Sequence, residues 1–281
     1  MKNFLGRVRR MWPSRGDPIL IYQMGRVGSS TVKHSLDGLR RFESYQVHRL
    51  NPDNIARVKR EHERRGWAQP QPDREAKGLR ERLIDPRRRL KIITLVREPV
   101  GRNFSYYFQN LDKICGTPNA HASIPVEQLV RGFPVEFPYS DDPLTWFDYE
   151  FKEVTGINLY DYRLNMEAGF DEVKADPYEV LILRTDAADE VKSEALAGFL
   201  GLPTPVPLVQ SNVTAHKVQA EAYRKFRDTI RLVPAYLDYM LGSKYCRHFF
   251  GRETLGRLRH HYSRTGHIVP DAFLKLQAGT P

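Results

Sequence analysis

Four short stretches, 19–22, 44–47, 91–96 and 180–183, are rich in Val, Ile, Leu or Tyr and are bounded by polar or turn residues. Runs of this length and content predict buried strands. Between them the spacing of apolar positions becomes helical. Over 29–39, Val32, Leu36 and Leu39 share one face, and 189–200 is amphipathic and stops at Gly201. A third helix is predicted over 52–65, with Asn51 as its N-cap and Pro52 at its first position. Strands alternating with helices imply an α/β fold, a doubly wound parallel sheet covered on both faces.

Strand signals vanish across 110–169, where Pro, Gly and aromatic residues become frequent, as in Phe133-Pro134, Phe137-Pro138-Tyr139 and Trp146-Phe147-Asp148-Tyr149. A stretch this long within an α/β unit predicts a helical or loop insertion near the site, a lid or acceptor region. Across 214–240, Val218, Ala222, Phe226, Ile230, Val233 and Leu237 recur at helical spacing and predict one helix kinked at Pro234. No internal repeat is visible. The 281 residues are expected to form a single domain.

Composition changes the picture through charge. Lys and Arg total 44 against 34 Asp and Glu, a net charge of +10, which favours an anionic partner: nucleic acid, anionic lipid, a charged cofactor or an acidic polymer. The arginines between Arg57 and Arg89 have only Trp67 among them and no helix-turn-helix, finger or RNP pattern beside them, so they read as a solvated face and nucleic acid is not the expected partner. Cys115 and Cys246 lie in no CxxC or ligand pattern and are expected to be reduced packing residues. Residues 1–16 are basic without a signal-peptide core, and no run approaches about 18 apolar residues. The expectation is a cytoplasmic protein whose basic N-terminus could hold it peripherally to a membrane.

Candidate chemistry begins after the first predicted strand, in Gln23-Met24-Gly25-Arg26-Val27-Gly28-Ser29-Ser30-Thr31. Gly25 and Gly28 permit a tight turn. The N–H groups from Val27 to Thr31 would face an anion at the helix start, and Ser29, Ser30 and Thr31 would add hydroxyl donors. The pattern is not a Walker loop, since Ser30 stands five residues after Gly25 and no Lys precedes the hydroxyls. The plainer alternative is a strand-to-helix turn capped by Ser29. A second segment, Ile93 to Tyr107, puts Arg97 at the end of a buried strand and Ser105 eight positions on, along a helix begun by Pro99. That is about two helical turns, which lets Ser105 approach the same anion as Arg97 if the strand end curls back.

Together these segments resemble the sulfotransferase family, whose donor is 3′-phosphoadenosine-5′-phosphosulfate (PAPS). The first loop is similar to the family's 5′-phosphosulfate loop, with Arg26 where Lys is usual and Ser29-Ser30 in place of its paired hydroxyls. Arg97 and Ser105 match the two residues that hold the 3′-phosphate, and 180–186 followed by 195–203 resembles a later strand and a helix ending in FLGLP. More narrowly, the QMGRVGSS loop, His48, Trp146-Phe147-Asp148 and Asn212-x-Thr214-x-x-Lys217 resemble the group labelled as capsular polysaccharide synthesis proteins. The resemblance covers roughly 18–260. It implies a P-loop-like fold and sulfuryl transfer from PAPS to a hydroxyl or amine of a carbohydrate, a bacterial capsular or surface polysaccharide or its precursor.

In such a reaction Arg26 would stabilise the leaving phosphate oxygens by charge and hydrogen bonding, since Arg cannot give up a proton. No carboxylate cluster follows a strand, so no metal is expected. His48 ends the second apolar run, and the C-terminal end of a strand next to the first lies beside the loop in an open α/β sheet, so it is the candidate base; capping the strand or binding phosphate are its other readings. Glu150 and Asp148 stand in reserve. Lys217 falls where the family closes a basic loop over the 3′-phosphate, though a helix start capped by Thr214 explains it equally. Tyr106, Tyr107 and Phe108 read as core before adenine platform, and Trp146 with Phe147 as either a sugar-stacking pair or packing. The alternative functions are a non-catalytic nucleotide- or anion-binding protein on the same scaffold and, less favoured, a basic nucleic-acid binder.

Overall fold

The computed structural model describes residues 18–39, 41–64, 74–133, 142–209, 217–264 and 266–271. Five strands, β1 (Ile19–Tyr22), β2 (Ser44–Val47), β3 (Leu90–Val96), β4 (Phe170–Ala175) and β5 (Tyr178–Arg184), make one sheet in the order β2-β1-β3-β5-β4. The first, second, third and fifth are parallel, and β4 runs antiparallel to β5. All four predicted strands are present; the sheet is mixed, not wholly parallel as expected.

β4 escaped the pattern because only Val173 among its six side chains is buried. Asp171, Glu172 and Lys174 give it the charged character that keeps an edge strand from pairing further. By contrast β1 is buried on both faces along its whole length, as are Ile92, Ile93, Leu95 and Val96 of β3. Each fully buried Leu or Ile contributes about 1.5–3 kcal/mol, so the central strands form the rigid base from which the loops at their C-terminal ends project.

The helices that bear on those loops are α1 (Ser29–Gly38), α2 (Pro52–Arg64), α3 (Pro99–Gln109), α4 (Asp142–Trp146), α5 (Asp189–Leu200), α6 (Lys217–Thr229), α7 (Pro234–Leu241), α8 (Lys244–Phe249) and α9 (Arg252–Arg264). The single kinked helix expected over 214–240 is two helices in its described part, α6 and α7. Pro234 begins the second at its first turn, because proline lacks the N–H a continuing helix would need and holds Val233 extended at ψ 149°.

The described part of the expected insertion is mainly helical through residue 155 and packs its apolar side chains into the core. Short helices fill 111–131, and α4 runs into a π-helical turn, Phe147–Lys152. Trp146, Phe147 and Phe151 are buried against Tyr22, Tyr245 and Phe249. With Trp146 and Phe147 each 2% exposed, neither ring has a face for a sugar, and packing is the correct reading of both. No helix among the described residues is long and apolar enough to cross a membrane. The basic segment 1–16, Trp67, Asn212 and Thr214 lie outside the described residues.

Candidate functional site

The chain leaves β1 toward β2 on one side, while β3 pairs on β1's other side, so the connections part at the C-terminal ends of β1 and β3. In open α/β sheets that crevice is where ligands bind. A cleft of about 410 Å3 lies there. The loop between β1 and α1 lines it with Gly25, Arg26, Gly28, Ser29 and Ser30; Gln46 and His48 come from β2; Arg97, Arg102 and Ser105 come from β3 and α3. The lining contains four guanidinium groups, counting Arg49, and no carboxylate.

The loop has an unusual backbone. Arg26 has φ 74° and Gly28 φ 80°, both left-handed. Glycine adopts this freely, whereas at Arg26 it costs about 1–2 kcal/mol and must be held by its surroundings. Arg97 does so, its Nη1 donating to the Arg26 carbonyl at 3.0 Å. Arg102 Nε donates to the Gly25 carbonyl at 3.2 Å, and Thr185 Oγ1 lies 2.9 Å from the Val27 carbonyl. Thr185 Oγ1 is also 3.0 Å from the Val96 carbonyl, so two loop carbonyls are held by arginines and the third shares a hydroxyl with the end of β3.

α1 begins without a side-chain cap: Gly28 is its N-cap residue. Ser29 is therefore not the cap that the plainer reading required. Instead its Oγ accepts from Gln23 Nε2 at 2.7 Å and Gln46 Nε2 at 2.8 Å, which occupies its acceptor sites and leaves its own O–H to donate. The first-turn N–H groups of α1 are left to an anion, with the helix dipole behind them. Val27 is buried and Thr31 lies further along α1; neither lines the cleft, so of the predicted hydroxyls Ser29 and Ser30 are the ones at hand.

Arg26 reaches across the cleft to α3, where its Nε and Nη2 donate to Ser105 Oγ at 3.1 and 2.9 Å. Arg97, expected to share an anion with Ser105, lines the same cleft, and its Nη1 donates to the Arg26 carbonyl. Burial, followed by repulsion from Arg97 and Arg102, presses Arg26 below the usual guanidinium range. An anion would relieve that repulsion directly. Behind the cleft Asp142, itself buried, receives Arg102 Nη2 at 2.8 Å, with Arg49 and Arg57 at 3.6 and 3.8 Å.

His48 stands at the end of β2. Its Nδ1 is 3.1 Å from the Gln23 carbonyl and 3.0 Å from Gln23 Nε2, and its own carbonyl accepts from the Trp146 indole at 3.0 Å. Burial first, then the charges of Arg49 and Arg102, lower its pKa, so the ring is neutral at neutral pH.

Glu150, the reserve base, is fully buried and committed to structure. Its Oε1 accepts from Tyr22 Oη at 2.5 Å and from the N–H groups of Leu50 and Asn51, and its Oε2 accepts from Asn54 Nδ2 at 2.6 Å. Asp148 pairs with Lys244 at 3.1 Å, away from the cleft lining. Tyr107 and Phe108 are core, as expected, while Tyr106 lines the cleft with Arg102 5.1 Å from its ring centre. Lys217 opens α6; its side chain is outside the described residues.

Sequence reasoning missed Gln23, Arg102, Thr185 and Tyr245. The Tyr245 hydroxyl donates to the Arg97 carbonyl at 2.9 Å and accepts from the Arg97 N–H at 3.1 Å, pinning the end of β3 from α8. Arg102 sat inside the quoted motif and could have been weighed; Tyr245, on an aromatic-rich helix 148 residues from Arg97, carried no local signal.

Residues 140–251 match the family model described as "NKWYS: Putative capsular polysaccharide synthesis protein". The matched stretch includes α4, β4, β5 and α8, and excludes the two segments, 25–31 and 97–105, that line the cleft. No curated protein and no solved structure matches the chain.

Proposed function

We propose that the cleft is a P-loop-like sulfotransferase site that binds PAPS and directs sulfuryl transfer to a hydroxyl of a saccharide. The observation that carries the reading is the meeting of two sequence-distant segments, 25–31 and 97–105, in one carboxylate-free cleft through the Arg26–Ser105 contact. The residues fit the donor: four guanidinium groups, no lining carboxylate, and a loop whose helix end is left open. Bound there, PAPS would supply an activated sulfuryl group and leave as adenosine 3′,5′-bisphosphate.

In this reading the loop N–H groups, Ser29, Ser30 and Arg26 hold the phosphosulfate end, and Arg97 with Ser105 holds the 3′-phosphate. Because Arg26 and Ser105 touch, the two ends are gripped by one connected set of donors. Charge that builds on the leaving oxygens is met by fixed groups, which need no reorganisation. His48 acts as base through Nε2. Nδ1 has two neighbours on Gln23, the backbone carbonyl at 3.1 Å and the side-chain Nε2 at 3.0 Å; base function requires the carbonyl to be the partner, with the proton on Nδ1 and the Nε2 lone pair left for the acceptor hydroxyl. The family description supports a saccharide acceptor of the kind built into capsules.

The test pairs binding with turnover for His48→Ala and Arg26→Ala. His48→Ala should bind adenosine 3′,5′-bisphosphate normally and turn over no acceptor, whereas Arg26→Ala should lose both. A wild-type protein that binds the bisphosphate but transfers sulfate to no saccharide would leave the non-catalytic reading.

A further inference from the structure

A second and larger concavity, about 940 Å3, lies on the far side of β5 from the anion cleft. Its walls are the turn before β4 (164–169), the end of β5 (184–188), and the end of α8 running into α9 (247–257). Arg184 lines this groove, while Thr185, next in the chain, lies 2.9 Å from the Val27 carbonyl of the anion loop. The two sites thus share one strand end.

Their chemistry differs. Guanidinium groups in the anion cleft face no lining carboxylate, but in the groove Arg184 is paired in bidentate fashion with Asp186, at 2.9 and 2.5 Å, and Arg257 pairs with Glu253. Exposed Glu167 adds a third carboxylate. Arg247 donates to the Gly242 carbonyl, and neither it nor Arg252 forms an ion pair among the described residues. A compact phosphate is best served by donors alone. Alternating carboxylates and guanidiniums suit a ligand that both donates and accepts along its length, with occasional negative charge for the extra guanidiniums.

We infer that this groove binds an acidic saccharide chain, its uronate carboxylates meeting Arg247 and Arg252 and its hydroxyls meeting Asp186, Glu167 and Glu253. The inference rests on the reading of the acceptor as a saccharide, and places part of that chain away from the reacting hydroxyl. Apart from 252–257, the groove's walls fall within the stretch matching the capsular polysaccharide family.

The full chain is titrated with hyaluronan hexasaccharide and, separately, with neutral maltohexaose, and ligand-observed NMR reports binding. The hyaluronan fragment should bind and maltohexaose should bind at least about tenfold more weakly. Arg252→Glu should weaken the acidic fragment by about tenfold or more, and Glu167→Gln, an exposed change that keeps side-chain size, should weaken it less. Both variants should retain the wild-type thermal shift with adenosine 3′,5′-bisphosphate, which checks folding and the anion cleft together. No binding of the hyaluronan fragment, equal binding of maltohexaose, or unchanged binding in Arg252→Glu overturns the groove assignment. Loss of the bisphosphate shift in the wild type overturns the sulfotransferase reading instead, so the two failures are distinguishable.

Discussion

Arg26 and Ser105, 79 positions apart in sequence, are joined by two hydrogen bonds from one guanidinium, at 3.1 and 2.9 Å. The contact joins the β1–α1 loop and α3 across one cleft, the surface proposed to bind the nucleotide. Removing the hydroxyl in Ser105→Ala should loosen Arg26 and weaken adenosine 3′,5′-bisphosphate by roughly tenfold or more, since hydrogen bonds to charged groups are worth about 1.5–3 kcal/mol. Arg26→Lys keeps the charge but not the fork and should fall between wild type and Arg26→Ala in a calorimetric titration.

His48 carries a pH prediction. Its pKa is lowered below the usual 6.5 by burial and by Arg49 and Arg102, so the neutral ring predominates at neutral pH and base function is lost only as pH falls through the depressed value. The acid limb of kcat/KM should have its midpoint below 6.5. Nitrogen-15 NMR of the neutral ring should show the proton on Nδ1; a proton on Nε2 would remove His48 from the role of base.

Glu150 should matter for stability. Four donors converge on its buried carboxylate, and two of them are the backbone N–H groups that lead into α2. Glu150→Ala leaves these donors buried and unsatisfied, a loss of about 3–5 kcal/mol in urea denaturation. Glu150→Gln, which keeps one acceptor oxygen, should cost less.

At Gly101 the prediction is steric. A Cβ there would sit 2.0 Å from Glu98 Oε1, the oxygen that accepts the Gly101 N–H at 2.7 Å as the N-cap of α3 and also bonds Tyr262 Oη at 2.6 Å. Gly101→Ala should expel the Glu98 side chain and destabilise the fold by about 1–3 kcal/mol. Because α3 carries Ser105, bisphosphate affinity should fall with it.

β1, β3 and β5 were legible because strands buried on both faces must be nearly continuously apolar, as Ile19 to Tyr22 is, whereas the half-buried edge strand β2 showed itself only through Tyr45 and Val47. β4 was hidden by the polarity of an edge strand, and the break before Pro234 by apolar spacing that runs on through Val233 into α7. The two segments that meet at the cleft were legible as local patterns of glycine, hydroxyl and arginine. Their supports were not: Tyr245 bracketing Arg97, Trp146 holding the His48 carbonyl, and Thr185 beside Val27 are long-range contacts made by residues whose local sequence says only that they pack.

The central claim is that one cleft recognises a nucleotide bearing both 3′- and 5′-phosphates. Thermal-shift melting of the wild-type protein with adenosine 3′,5′-bisphosphate, AMP and ATP with magnesium tests it most directly, because a ligand that binds the folded chain raises its melting temperature, and at equal concentration the tighter ligand raises it more. The account predicts a clear rise with the 3′,5′-bisphosphate, a small one with AMP, and loss of the rise in Arg97→Ala. A rise with ATP and magnesium but none with the 3′,5′-bisphosphate would contradict it.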